Sequence, residues 1–114
     1  MDVTKTLDQA PGTMSRLSME AEEQRLIYSR MKEEVKRTEA RVYLSLKAEN
    51  TNMTVKELEA KVTDNNEVYT SRLDLVEQES AYRKIECEFK AWEEALNAAK
   101  MLGKMRMSEM KTGL

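Results

Sequence analysis

One spacing governs the last long stretch of the chain, from about Asn66 to Met110. Leu75, Gln78, Tyr82, Ile85, Phe89, Trp92, Leu96, Ala99 and Gly103 follow one another at alternating steps of three and four residues. Held for about four heptads, that alternation predicts one long helix with a single narrow seam. The only Trp and the only Phe of the chain lie on it, one turn apart, and no proline interrupts it. A seam this narrow cannot be buried by the helix that carries it, so it demands a partner helix.

Composition agrees with long, thin helices. Of the 114 residues, 40% are hydrophobic and 35% charged, which is too polar for a thick closed core. The charges are interleaved with apolar residues at helical spacing, which argues against plain disorder. Strand formers are sparse, and the only glycines are Gly12, Gly103 and Gly113. The expected fold is all-α: a long antiparallel helical hairpin with a short bridging helix, assembled as a coiled-coil-like oligomer. Two or three thin helices bury little surface in one protomer, and oligomerisation is the usual remedy. Tyr82, Ile85, Phe89, Trp92 and Leu96 are the residues expected at that oligomer interface, and their stripe reads as core, not as a cofactor pocket.

Taken in order, residues 1–14 show no apolar period and contain Pro11 and Gly12, which predicts a mobile tail. A single helical domain is expected over 15–110, with a short tail at 111–114. Its first helix should begin near Ser15 or Ser18 and run to about Glu49, on a seam of Tyr28, Met31, Val35, Thr38, Val42 and Leu46. Asn50-Thr51-Asn52 reads as a helix stop, because Asn tolerates turn geometry and competes for backbone hydrogen bonds. Thr54-Val55-Lys56-Glu57 has the form of a capping box, with Met53 and Leu58 placed for a hydrophobic staple. It opens a short helix of about Val55–Val62. Thr63-Asp64-Asn65-Asn66 is a second stop-and-cap cluster, in which Asp64 or an Asn caps the long helix.

Several functions are excluded by missing residues. With no His, imidazole acid–base chemistry, Ser-His and Cys-His nucleophiles and most metal sites disappear. No glycine-rich phosphate loop is present. Adjacent carboxylates such as Glu33/Glu34 and Glu93/Glu94 diverge by about 100° on a helix, so they form solvated faces. Cys87 lies between Glu86 and Glu88, which disfavours a thiolate. No enzyme activity, cofactor or metal is expected. One cysteine and no apolar span point to a reducing cytoplasm and away from a membrane.

Charge is unevenly spread, although the net value is only −2. Thr63–Ala99 holds nine acidic and four basic residues, a net of −5, whereas Lys100–Leu114 sets four cations against Glu109, a net of +3. On the first helix, Lys32, Lys36, Arg37, Arg41 and Lys47 could track a phosphate backbone, with Tyr43 one turn from Lys47 to stack on a base. The bland alternative is that Glu33, Glu34 and Glu39 pair with them along the helix. Lys100, Lys104 and Arg106 alternate with Met101, Met105 and Met107 near the C-terminus. That tract suits a polyanion, a protein partner or a membrane surface; alternatively its cations merely offset the helix dipole.

The stretch Arg37-Thr38-Glu39-Ala40-Arg41-Val42-Tyr43-Leu44-Ser45-Leu46-Lys47-Ala48-Glu49 resembles a helix of the UvsY-type recombination mediators of T-even bacteriophages. There a similar Arg-x-Glu-Ala run leads to a Leu-Lys-Ala-Arg motif associated with single-stranded DNA binding. Leu46, Lys47 and Ala48 match, while Glu49 stands in the place of the arginine. The resemblance implies a ring-like homo-oligomer that binds single-stranded DNA, remodels the single-strand-binding protein and helps load a recombinase, without nucleotide hydrolysis. Lys47 is the motif cation it carries over. The competing expectation is a coiled-coil adaptor or virion-assembly protein that works through protein contacts alone.

Overall fold

The computed structural model describes residues 2–111, and among them all regular structure is helical. Helix α1 spans Val3–Glu49, α2 spans Val55–Asp64 and α3 spans Asn66–Lys111. The fold is all-α, with a short helix between two long ones. Residues 112–114, most of the expected C-terminal tail, lie outside the described residues.

Helix α1 is longer than the sequence suggested, because residues 3–14 are helical and not a tail. Asp2 caps it: its Oδ1 accepts from the Lys5 backbone N–H at 3.0 Å, and its carbonyl accepts from Thr6 at 3.0 Å. The physical reason for the extension is the seam itself. Val3, Ala10 and Leu17 recur at heptad spacing and are all buried, with Thr6 and Thr13 half-buried between them. Pro11 and Gly12 sit on the opposite, exposed face. Pro11 removes one donor and crowds the carbonyl of Leu7, a penalty of about 3 kcal/mol in a helix interior. Because both residues are exposed, water can satisfy the freed carbonyl. Further along, Val35 and Val42 are buried and Tyr28, Met31, Thr38 and Leu46 half-buried, so the expected first-helix seam is the inner face.

The turns follow their local chemistry. Asn50 closes α1, its backbone N–H and its side-chain Nδ2 both donating to the Leu46 carbonyl, at 2.9 and 3.0 Å. Thr54, extended at φ −72° and ψ 161°, opens α2 by accepting from the Glu57 N–H at 3.2 Å. Asn65 then serves two helices at once. Its own N–H ends α2 on the Val62 carbonyl at 3.2 Å, while its Oδ1 accepts from Glu67 and Val68 N–H at 2.9 and 3.2 Å. Helix α3 carries on through Gly103 as far as Lys111. A methyl group at Gly103 would stand 4.0 Å from Val3 Cγ1, an ordinary van der Waals contact with α1.

The chain packs as two units. One unit joins the segment of α1 from Gln24, all of α2, and α3 as far as Tyr82. Here the two long helices run antiparallel: Arg41 meets Glu67, Glu39 meets Arg72, and Gln24 meets Gln78. Val42, Val62 and Val68 form a buried cluster, one valine from each helix, with Tyr43 and Leu46 packed against it. Gln78 Nε2 donates to Gln24 Oε1 at 2.6 Å across half-buried seams. A polar pair at such a position fixes register, since any slip leaves both amides unpartnered. The other unit joins α1 up to Glu23 with α3 from Arg83 onward, again antiparallel, around buried Val3, Ala10, Leu17 and Ala99.

Candidate nucleic-acid interface

Within the first of these units, α1, α2 and α3 leave an open groove of about 520 Å³. Lys36, Glu39, Ala40 and Tyr43 contribute from α1, Glu59, Val62 and Thr63 from α2, and Arg72 from α3. Lys36, Tyr43 and Lys47 share a face because steps of seven and four residues return to within about 40°. Arg37 and Arg41 project about 100° and 140° away. The basic run read from the sequence is therefore two separate rows.

The cations differ in how freely they could meet a phosphate. Arg41 is hydrogen-bonded to the Glu67 carboxylate, and this bond, with the attraction of the opposite charge, raises the Arg41 pKa above the ordinary arginine value. Arg72 Nε donates to Glu39 Oε1 at 2.9 Å. Lys36 stands 3.7 Å from Glu33 and is well exposed, a pair of the kind that contributes little. Lys32 sits 5.3 Å from the centre of the Tyr28 ring, a cation–π contact. Arg37 and Lys47 are exposed and form no ion pair among the described residues. Thus intrahelical pairing accounts for only one member of the row, Lys36 with Glu33, while Glu39 is taken up by Arg72 of α3. Two of the cations are held across the hairpin by residues distant in sequence.

Arg72 is the groove residue that the sequence did not single out. It lies in the acidic Thr63–Ala99 stretch and counted only as one of its cations. Glu39 was visible as its acceptor only through the fold. With Lys36 and Arg72 set against Glu39 and Glu59, the groove lining is balanced in charge. An anionic chain would draw on Lys36, on Lys47 one turn beyond Tyr43, and on Arg72 once Glu39 is displaced. Tyr43 offers a half-buried ring on which a base can stack.

Lys100, Lys104 and Arg106 belong to the other unit and do not line this groove. They are exposed on α3, beside the exposed Met101, Met105, Met107 and Met110. Tyr82, Ile85, Phe89, Trp92 and Leu96 are each half-buried within the single chain. Trp92 lines a shallow groove of about 260 Å³ with Thr6, Ala91 and Ala95. The seam is thus already partly covered by α1. Larger apolar exposure lies elsewhere on α3, at Tyr69, Leu73 and Val76, which are 63%, 45% and 61% exposed. Their spacing of four and three residues was legible as a second stripe, outside the main seam.

No group of three or more Cys, Asp and Glu side chains is placed to hold a metal among the described residues, and Cys87 is exposed. No helix among the described residues is long and apolar enough to cross a membrane. No family model matches the chain, and no curated protein or solved structure matches it.

Proposed function

We propose that the protein is a non-catalytic, single-strand DNA-binding recombination mediator that works as a homo-oligomer. The observation that carries the binding role is the shared face of Lys36, Tyr43 and Lys47 on α1, with Arg72 reaching the same groove from α3. Cations spaced along one helix suit a phosphate backbone, and a tyrosine among them suits stacking without sequence preference. The mediator role, with a recombinase and a single-strand-binding protein as partners, is supported by the resemblance of residues 37–49 to the UvsY-type helix. Lys100, Lys104 and Arg106 form a second cationic area that a longer strand could use.

The test is fluorescence anisotropy with a labelled single-stranded oligonucleotide at several salt concentrations. Binding should weaken as salt rises, and Lys47→Ala should lower the affinity several-fold and flatten the salt slope by about one counterion. Arg41→Ala should do less than Lys47→Ala, because Arg41 is already held by Glu67. Absence of binding at low salt would sink this reading.

A second reading is favoured by one observation: the net −5 of Thr63–Ala99 surrounds the exposed Tyr69–Leu73–Val76 stripe. An acidic, apolar face repels phosphate and suits a protein partner. On that reading the chain is an adaptor or assembly protein, and a stable protein complex with no oligonucleotide binding would distinguish it.

A further inference from the structure

Helix α3 carries two exposed apolar patches with opposite charge beside them. The first is Tyr69, Leu73 and Val76, two turns of one face near its N-terminal end. Exposed Glu77 borders that stripe, about 80° around the helix from its centre, and exposed Asp74 lies farther round on the same side, at about 130°. The second patch is Met101 and Met105, 66% and 55% exposed and one turn apart near the other end. Exposed Lys104 and Lys111 border it, Lys104 about 80° from its centre and in the opposite rotational sense. Beyond Gly103 every described residue of α3 is exposed.

We propose that the C-terminal end of α3 in one copy docks on the Tyr69–Leu73–Val76 face of α3 in a second copy. This rests on the homo-oligomeric part of the function proposed above and is independent of nucleic acid. Both patches lie on one helix, and a helix cannot fold its end back onto its own flank, so they meet only between copies. Charge complementarity selects the second copy as occupant: Lys104 and Lys111 find Asp74 and Glu77 while the methionines cover the aromatic and branched side chains. Methionine suits this contact, since its unbranched, polarizable side chain adapts to an uneven surface. The opposite rotational senses also fix orientation. When two helices face each other in parallel, a border lying clockwise on one meets a border lying counter-clockwise on the other; antiparallel helices would set like sides together. The contact joins two different surfaces, so each copy keeps a free donor end and a free acceptor face. Such heterologous contacts close into rings or extend into filaments, and do not stop at a two-fold dimer.

Light scattering on the full chain at low salt, without nucleic acid, tests the proposal. The wild type should form assemblies larger than a dimer. Lys104→Glu with Lys111→Glu should reduce them to single copies, and so should Asp74→Lys with Glu77→Lys. All four substitutions in one chain should restore assembly, because the charges oppose again with their signs exchanged. Circular dichroism of each variant confirms that the helices persist. A wild type that stays monomeric overturns the proposal, as does a dimer indifferent to both reversals or a quadruple variant that fails to reassemble while remaining helical. Loss of oligonucleotide binding with assembly intact would count against the nucleic-acid role and leave this contact standing.

Discussion

At the scale of single residues, Asn65 does the most with the least. It is the sole residue between α2 and α3, and it satisfies one orphan carbonyl of the first and two orphan amides of the second. Only a short side chain carrying an acceptor can do this from extended backbone geometry. Asn65→Ala should therefore lower stability by about 1 kcal/mol, read from urea unfolding. A loss near zero would show that water replaces the Oδ1 at both amides. The sequence marked the cluster Thr63–Asn66 but left open whether Asp64 or an Asn capped the helix. Which one does so depends on where α2 releases the chain, and the Val62 carbonyl sets that. Lys47 and Arg41 make the same point for the candidate binding face. Both are exposed cations of α1, yet Glu67 holds Arg41 while Lys47 forms no ion pair among the described residues.

At the scale of elements, the long helices are stable because their seams are buried, not because their residues favour helix. The N-terminal part of α1 is the clearest case. Pro11 and Gly12 cost it about 4 kcal/mol together against alanine, and Val3, Ala10 and Leu17 recover this by packing on α3. Leu17 is 1% exposed, so Leu17→Ala should destabilise by about 2–3 kcal/mol, measured by thermal or urea unfolding. An effect under about 0.5 kcal/mol, typical of a surface position, would mean that the segment is not packed as described. Along residues 1–14, Pro11 and Gly12 read as punctuation, and too few apolar residues are present to show a period. Val3, Ala10 and Leu17 are single residues at heptad spacing, and they stand out only once α3 lies opposite them. The capping box at Thr54 needed no such help, because its signal is contained in four consecutive residues.

At the scale of the whole molecule, α1 and α3 each pass without a break from one packing unit into the other. Helix formation is cooperative along an unbroken backbone, so the units should unfold together. The chain supplies its own probes. Trp92 lies in one unit, and Tyr28, Tyr43, Tyr69 and Tyr82 all lie in the other. Trp fluorescence and tyrosine near-ultraviolet dichroism should therefore give coincident urea transitions. Two separated midpoints would show that the units unfold independently. The same partition separates the candidate binding residues: the α1 cations and Arg72 fall in one unit, Lys100, Lys104 and Arg106 in the other. No consecutive stretch of sequence displays that division.

By itself the sequence determined the helical class, the inner face of α3 from Leu75 to Gly103, the stop at Asn50 and the cap at Thr54. Each of these is a local matter of spacing or of a side chain reaching its own backbone, with no need for a distant partner. Only the tertiary structure decided that helix continues back to Val3, that Arg41 is held by Glu67 and Arg72 by Glu39, and that Tyr69, Leu73 and Val76 are left uncovered. Those outcomes depend on which residues an antiparallel neighbour brings alongside, and a spacing read along one helix carries no information about the residues opposite it.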